Sequence, residues 1–329
     1  MWVKRLLLII ITILFSLSVT FVVIHFMPGN PVETLAMDMM RNQGLDYQDA
    51  YSKAKALLNY DPDVPLLNQY IKYVAGILRG NLGESMSYRK PVTSVIAGAL
   101  PWTLFILSIS LLVSFVIGIS LGMYIAWKRK TIIDPMISVY ASIAGSLPDF
   151  IVGLILIIIF AVNLKWLPSR GPYDSSVIPG FNSGYIISVI EHAILPISAY
   201  VLTSLGSWAL TMKGNAISIL GEDYIMAAKA RGLPDRRIIT TYVGRNALLP
   251  LITNLAISFG MMFGGSPLIE NIFVYPGIGY FLNQAVGRRD YPLMQGMFFM
   301  ITIAVVLANL IAEILYNVLD PRIREGAQN

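Results

Sequence analysis

The chain has 329 residues, of which 56% are hydrophobic and 13% are charged, and its formal net charge is +5. A soluble domain carries about a quarter charged residues, so this composition excludes an ordinary soluble protein and indicates an integral membrane protein. The absence of cysteine excludes disulfides, iron–sulfur clusters and thiolate zinc sites. We attribute the positive charge to Lys and Arg on the cytoplasmic side of a bilayer rather than to nucleic-acid binding.

The first predicted element is an apolar span over residues 6–26, which follows the basic residues Lys4 and Arg5. A signal peptide is the alternative, but its apolar region measures about 7–15 residues and ends at a small-residue cleavage site. The apolar run here is longer and ends in His25 and Phe26 without such a site. We therefore expect a retained first span.

Residues 30–100 form a long segment in which acidic and basic side chains alternate. Helical periodicity of the apolar residues predicts helices over 48–59 and 66–78, and the glycines at 80–83 predict a turn. We expect this segment to be a small extramembrane insert after the first span.

Five further apolar runs are long enough to cross a bilayer, which needs about 20 residues. In the third run, Pro148 stands beside Asp149, which predicts a kink or an unwound turn. The fold class is therefore all-α: one polytopic membrane domain over 1–329 with six transmembrane helices. The five runs are 101–127, 133–164, 186–212, 247–269 and 293–319.

The basic residues cluster in alternate connecting segments, which predicts a cytoplasmic N-terminus, C-terminus and central loop, and an insert on the outside. The central loop, residues 213–246, has the pattern of helix, break and helix. A helix is predicted over 216–231, Gly232 suits a left-handed helix stop, and Pro234 suits the first turn of the next helix. The apolar residues that fall near one face of the first helix are Ile217, Leu220, Tyr224, Ala227 and Ala228.

The sequence lacks the motifs of several enzyme classes. It contains no GxxxxGK[ST] phosphate loop, no HExxH zinc motif and no GxSxG nucleophile elbow, and its two histidines are His25 and His192. We expect no catalytic residue, no cofactor and no metal site.

Several motifs together resemble the permease subunits of ABC importers for oligopeptides, dipeptides and nickel, of the oligopeptide permease B type. EDYIMAAKARGL over 222–233 is similar to the coupling motif of that family, and GGSPLIENIFVYPGIGYFLNQAVGRRDYPLMQG over 264–296 is similar to its segment between the fifth and sixth spans. LPWTL, SLPDF, GNLGES and NLIAEILYNVLDPRIR are further matches, and the order of motifs covers nearly the whole chain. The sequence departs from the general importer pattern in two respects. Met226 stands where that pattern has glutamate, and the interval from Gly232 to Pro250 is longer.

The resemblance implies that this chain forms half of a translocation pathway. It implies a second homologous permease subunit, two cytoplasmic ATPase subunits that dock on the central loop, and an external substrate-binding protein. The alternative for the loop is an amphipathic helix that lies on the membrane surface. The residues expected to couple to the ATPase are Glu222, Asp223, Tyr224, Ala227, Ala228, Arg231 and Gly232.

Three polar residues in or near predicted spans are candidates for the translocation path: Asp149, Asn254 and Glu270. Charges at this depth usually face a cavity or a partner. For Asp149 the competing interpretation is a carboxylate that caps the turn at Pro148. The cargo implied by the resemblance is a peptide, with oligosaccharide or nickel as alternatives. An ion-coupled secondary transporter and a membrane scaffold that recruits a partner are the alternatives from other classes.

Overall fold

The computed structural model describes residues 2–27, 29–58, 64–128 and 132–319. In this part of the chain the regular structure is helical, apart from an isolated β-bridge between Glu84 and Pro91, so the predicted all-α class is confirmed. The helices are α1 Trp2–His25, α2 Pro31–Gln43, α3 Tyr47–Leu58, α4 Leu66–Leu78, α5 Val92–Trp127, α6 Ile133–Ser146, α7 Asp149–Leu156, α8 Ser183–Leu220, α9 Asp223–Ala230, α10 Asp235–Arg237, α11 Arg245–Met261, α12 Pro267–Ile272, α13 Ile278–Arg288 and α14 Tyr291–Leu319.

Five helical stretches within the described residues are long and apolar enough to cross a bilayer: Leu7–His25, Val92–Trp127, Ser183–Leu220, Asp235–Gly264 and Tyr291–Ile311. Helices α6 and α7 form a further pair, bent by 99° at a short break, which brings the number of spans to 6 if the pair crosses as one. The break falls at Leu147 and Pro148, as predicted. Pro148 precedes α7 because a proline cannot continue α6 but can stand at a helix start.

Several helical stretches differ in their limits from the predicted spans. The second span was placed from Pro101, but Pro101 lies inside α5, which begins at Val92. Proline is tolerated within a spanning helix when the freed backbone groups find other partners. The fifth span was placed over 247–269, whereas the helical stretch covers Asp235–Gly264 and ends at Gly265, whose φ is +67°. Between α10 and α11 this stretch passes through the π-helical segment Ile238–Gly244.

By its internal contacts the chain divides into two compact units. Unit 1 comprises 1–101 and 277–306, and its largest buried cluster joins α1, the start of α5, α13 and the start of α14. A smaller cluster joins α2 to α3 through Val32, Ala36 and Ala50. The helices predicted over 48–59 and 66–78 are confirmed as α3 and α4, with residue 59 outside the described residues, whereas α2 and α13 were not predicted.

Unit 2 comprises 102–276 and 307–329. Its helices approach closely where glycine faces a neighbour: Gly118 and Gly122 of α5 face α8, and Gly206 of α8 faces Ala141 of α6. One buried cluster lies at the end of α8 that leads to α9, and another joins α5, α7, α8 and α12. The single-domain organisation over 1–329 stays a prediction. Four basic residues used to predict the orientation, Arg129, Lys130, Arg322 and Arg324, lie outside the described residues.

Candidate functional site

The central loop carries the short helix α9, and this helix is separate from α8. We expected one helix over 216–231, but α8 ends at Leu220, and Glu222 has an extended backbone with φ −76° and ψ 144°. The prediction of one helix was therefore wrong. Gly221 favours this break because glycine loses more conformational entropy in a helix than other residues. The chain changes direction here, and α9 begins at Asp223.

The end of α9 is fixed by a Schellman motif. Gly232 has φ +71°, which only glycine adopts without strain. Its N–H donates to the carbonyl oxygen of Lys229 at 2.9 Å, and the N–H of Leu233 donates to that of Ala228 at 3.2 Å. The helix stop predicted at Gly232 is confirmed. Pro234 then precedes the next helical stretch, as expected.

Helix α9 has one buried face and one exposed face. Ile225 is 0% exposed and Ala228 is 4% exposed, and both pack into the cluster that α5, α8 and α11 build. The remaining predicted coupling residues are exposed: Glu222, Asp223, Tyr224, Ala227, Arg231 and Gly232. We call the surface formed by Tyr224, Met226 and Ala227 the outer face of α9. Ala228 is buried and is not part of this face.

Side-chain hydrogen bonds attach the loop to the ends of the spans. The Asn246 Nδ2 donates to the Tyr224 hydroxyl at 3.4 Å, and the Asn215 Nδ2 donates to the carbonyl oxygen of Ala247 at 3.3 Å. Lys213, near the end of α8, forms an ion pair with Asp134 in the first turn of α6. The loop is thus held by α8 and the helical stretch that leads into α11, and the ion pair joins α8 to α6.

The charges of α9 follow its dipole. Asp223 lies in the first turn and Lys229 in the last turn, so each carries the sign that the helix macrodipole favours. This arrangement stabilises a helix of only 8 residues, which would be marginal in isolation. The packing of Ile225 and Ala228 supplies the rest of its stability.

The three path candidates lie in different environments. Asp149 is half-buried in the first turn of α7, and its Oδ1 accepts a hydrogen bond from the N–H of Phe150 at 2.8 Å. Pro148 is the N-cap residue of α7 and makes no side-chain capping bond, and Asp149 is the first residue of the helix. Asn254 is exposed on α11. Helix α12 packs against α7, so Asp149 and Glu270 belong to neighbouring elements.

Glu270 is buried in α12. Its Oε1 accepts a hydrogen bond from the Thr103 hydroxyl at 2.9 Å and a longer one from the N–H of Ser266 at 3.4 Å. Thr103 stands in the LPWTL motif of α5, so this bond joins two motifs that the sequence separates by 167 positions. No role for Thr103 was predicted from the sequence. Glu270 therefore connects α12 to α5.

A second buried carboxylate, Asp290, was missed from the sequence. It accepts hydrogen bonds from the Ser85 hydroxyl at 2.5 Å, the N–H of Ser87 at 2.8 Å and the N–H of Leu293 at 3.2 Å. Asp290 precedes α14 and caps its N-terminus. The available indication was the Asp-Tyr-Pro sequence, which is typical of a helix start. Asp290 ties residues 85–87 of the insert to α14.

The sequence matches the family model described as binding-protein-dependent transport system inner membrane component, over residues 118–325. Among curated proteins, the chain is 34% identical to the di/tripeptide transport system permease protein DppB of Pseudomonas aeruginosa, over 98% of this chain and 97% of that protein. It is 32% identical to the dipeptide transport system permease protein DppB of Escherichia coli K12, with the same shares covered. The oligopeptide transport system permease protein AppB of Bacillus subtilis is 34% identical over 95% of this chain and 96% of that protein.

Among solved structures, the chain resembles a chain of the MetNI methionine ABC transporter in an inward facing conformation. The TM-score is 0.53 at 18% identity, and the likeness covers 69% of this chain and 97% of that chain. At this identity the likeness shows the fold alone. The family match, the relatives and the helical membrane fold agree, and the chain belongs to the family of inner membrane components of binding-protein-dependent transport systems.

Proposed function

We propose that this chain is the membrane-spanning subunit of an ABC importer for dipeptides or oligopeptides and forms half of its translocation pathway. The observation that carries the proposal is the outer face of α9. It exposes Tyr224 at 42% and Met226 at 59% on a helix whose other side is packed on three spanning helices. Exposed tyrosine and methionine next to charged residues are typical of protein interfaces. The curated relatives named as peptide permeases support the choice of cargo.

Under this proposal, a cytoplasmic ATPase subunit docks on the outer face of α9. A second homologous permease completes the pathway and receives a second ATPase in the same way. A substrate-binding protein delivers the peptide on the opposite side of the membrane, where the insert lies. Both termini of the chain are cytoplasmic. ATP hydrolysis takes place on the partner subunits, and this chain supplies no catalytic group.

The packing of α9 suggests how motion reaches the spans. Ile225 and Ala228 contact side chains of α8 and of the stretch that leads into α11, so a push on α9 moves the ends of these helices with it. Tight interiors transmit displacements because they have few voids. The ion pair of Lys213 with Asp134 joins α8 to α6, so α6 moves together with the end of α8. Asp149, Asn254 and Glu270 remain our candidates for the path itself, and Glu270 also connects α12 to α5.

Copurification tests the proposal directly. The tagged chain is purified gently from its native membrane, the partners are identified, and ATP hydrolysis is measured with and without the binding protein and peptide. We expect a second permease and two ATPase copies, with hydrolysis stimulated by the loaded binding protein. A chain that purifies alone and moves solute in liposomes without ATP would contradict the proposal.

A matched set of variants locates the docking surface. Ala227→Trp places bulk on the exposed outer face, and we expect it to release the ATPase without lowering the thermal stability of the chain. Ala228→Trp fills a buried site and should lower the stability of the chain itself. Thr240 is exposed in the same loop but outside α9. Thr240→Trp therefore serves as the control, and we expect it to retain the ATPase. Retention of the ATPase by Ala227→Trp would show that α9 is not the docking surface.

A further inference from the structure

Helix α4 of the insert has three distinct faces. Leu67, Ile71, Val74 and Leu78 follow the spacing of four, three and four residues that marks one stripe of a helix. Leu67 is 67% exposed, Ile71 56% and Leu78 81%. We call these four residues the α4 stripe. An insert surrounded by water on all sides would be expected to turn such a stripe inward.

The second face of α4 packs on α1. The Tyr70 ring lies 5.3 Å from the Phe21 ring, the Tyr73 ring lies 5.8 Å from it, and the Tyr70 hydroxyl shares a hydrogen bond of 2.7 Å with Ser18. Ile77 on the same face is buried. The contacts of α4 with α1 therefore involve the last two turns of the spanning helix.

The position of Ser18 sets the depth of α4. Ser18 precedes the end of α1 at His25 by about 10 Å, at 1.5 Å per residue of helix. The hydrocarbon core of a bilayer is about 30 Å thick, so a side chain from α4 that reaches Ser18 reaches the outer third of a span of this length. This places α4 beside the end of the spanning helix and not above it.

The third face of α4 is polar and borders water. Asn68, Lys72 and Arg79 lie about 100–140° around the helix from the α4 stripe. They line an open cavity of about 1300 Å³, together with Tyr73 and Ile77 of the second face. Between α4 and α1, the apolar side holds a groove of about 380 Å³, lined by Phe21, Val22, Phe26, Leu66 and Leu67 among others. The groove continues into residues of α1 that face outward, because Val22, Val23 and Phe26 are exposed.

We propose that α4 is an interfacial helix, with the α4 stripe inserted into the lipid leaflet at the end of α1 and an acyl chain in the groove between α4 and α1. Lipid is the occupant because the stripe and the groove are continuous with the surface of a spanning helix, and the polar residues of α4 lie on another face, which lines the open cavity. An amphipathic helix at the membrane boundary has this division of faces. Lys72 and Arg79 keep their charges in water while their stems cover apolar surface. The insert is thereby held against the membrane.

The test uses the absence of cysteine from the chain. Ile71→Cys and Lys72→Cys are adjacent positions on different faces, and each is expressed in the complete transporter in intact membranes. Labelling by a membrane-impermeant maleimide is read on the tagged chain, with Leu67→Cys and Asn68→Cys as a second matched pair. We expect the polar positions to react at least several times faster than the stripe positions. Equal and fast labelling at positions 71 and 72 overturns the proposal, because it places the stripe in water.

Slow labelling also occurs where another protein covers a site, so a second measurement identifies the occupant. A photoreactive benzophenone amino acid is placed at position 71 and, as the control, at position 72. Phospholipid adducts on the chain at position 71, resolved by mass spectrometry, and few at position 72 support the proposal. A protein adduct at position 71, or no adduct with lipid there, overturns it. The experiment is independent of cargo and of ATPase docking, so it fails or succeeds separately from the proposed function.

Discussion

Gly206 in α8 sets the separation of α8 from α6, and this contact gives a quantitative prediction. A Cβ atom at Gly206 would stand 2.6 Å from both the Cα and the Cβ of Ala141. Carbon atoms in favourable contact are about 3.5–4.0 Å apart, so Gly206→Ala must push the two helices apart by about 1 Å. Overpacking of this kind costs about 1–3 kcal/mol.

Gly214 provides the matched control, because it lies in the same helix and a Cβ atom there would meet nothing within 4 Å. Both substitutions replace a helical glycine by alanine, which favours the helix by about 1 kcal/mol. This gain is common to the two variants and cancels in their difference. We therefore expect Gly206→Ala to be less stable than Gly214→Ala by about 1–3 kcal/mol.

The free energy of unfolding can be measured by denaturant titration of the purified chain in detergent micelles, with linear extrapolation. Ala141→Gly removes one of the two carbon atoms that the new methyl group meets, so it should restore part of the lost stability in the Gly206→Ala background. Equal stability of the Gly206→Ala and Gly214→Ala variants would refute the close approach of α6 and α8. A loss that Ala141→Gly does not reduce would place the strain elsewhere.

Three further predictions concern single contacts. Ser85→Ala should lower the free energy of unfolding by about 1.5–3 kcal/mol, since it removes a hydrogen bond to a buried carboxylate, and it should cost less in an Asp290→Asn background when a double-mutant cycle is measured. Gly232→Ala should lower the free energy of unfolding by roughly 1–2 kcal/mol, because Gly232 has a left-handed φ of +71°. Gly232→Asn should lower it less, since asparagine adopts this conformation more readily. Equal losses in the two variants would contradict this reasoning. Thr103→Val should cost about 1–3 kcal/mol, because it removes a donor from Glu270, whereas Thr103→Ser should retain most of the stability in the same unfolding assay.

Local rules predicted the elements whose boundaries depend on neighbouring residues. The break at Pro148, the stop at Gly232 and the helices α3 and α4 follow from proline geometry, the left-handed conformation and apolar spacing. These features need no knowledge of distant parts of the chain. Helix α13 was missed because its proline- and glycine-rich flanks are typical of a loop.

The exposed and buried sides of α9 could not be predicted from the sequence in the same way. Ala227 and Ala228 are identical neighbours, and one is exposed while the other is buried. The predicted apolar face counted from Ile217 through α9, but α8 ends at Leu220 and α9 begins at Asp223, so no single helical periodicity runs through both. Ile225, which was not assigned to that face, is the residue that anchors the helix.

The hydrogen-bond partners of the buried carboxylates also could not be predicted from the sequence. Asp290 stands beside two arginines in a segment that reads as a solvated loop, and its partner Ser85 is 205 positions away. A contact of this separation leaves no periodic pattern in a single sequence. Glu270 was predicted to be important because it is charged within an apolar region. Its partner Thr103 could be identified only from the folded structure, in which the two motifs are in contact.

The π-helical segment Ile238–Gly244 has a consequence for the length of the loop. A π turn closes its hydrogen bond from residue i to i+5, one residue more than an α turn, so it can hold an inserted residue without displacing the helix on either side. The interval from Gly232 to Pro250, which we interpreted from the sequence as longer than in the general importer pattern, contains this segment. A chain that gained a residue in this way keeps the same face of α11 directed at its neighbours while the segment before α11 grows. Loop length and span orientation can therefore vary independently at this point.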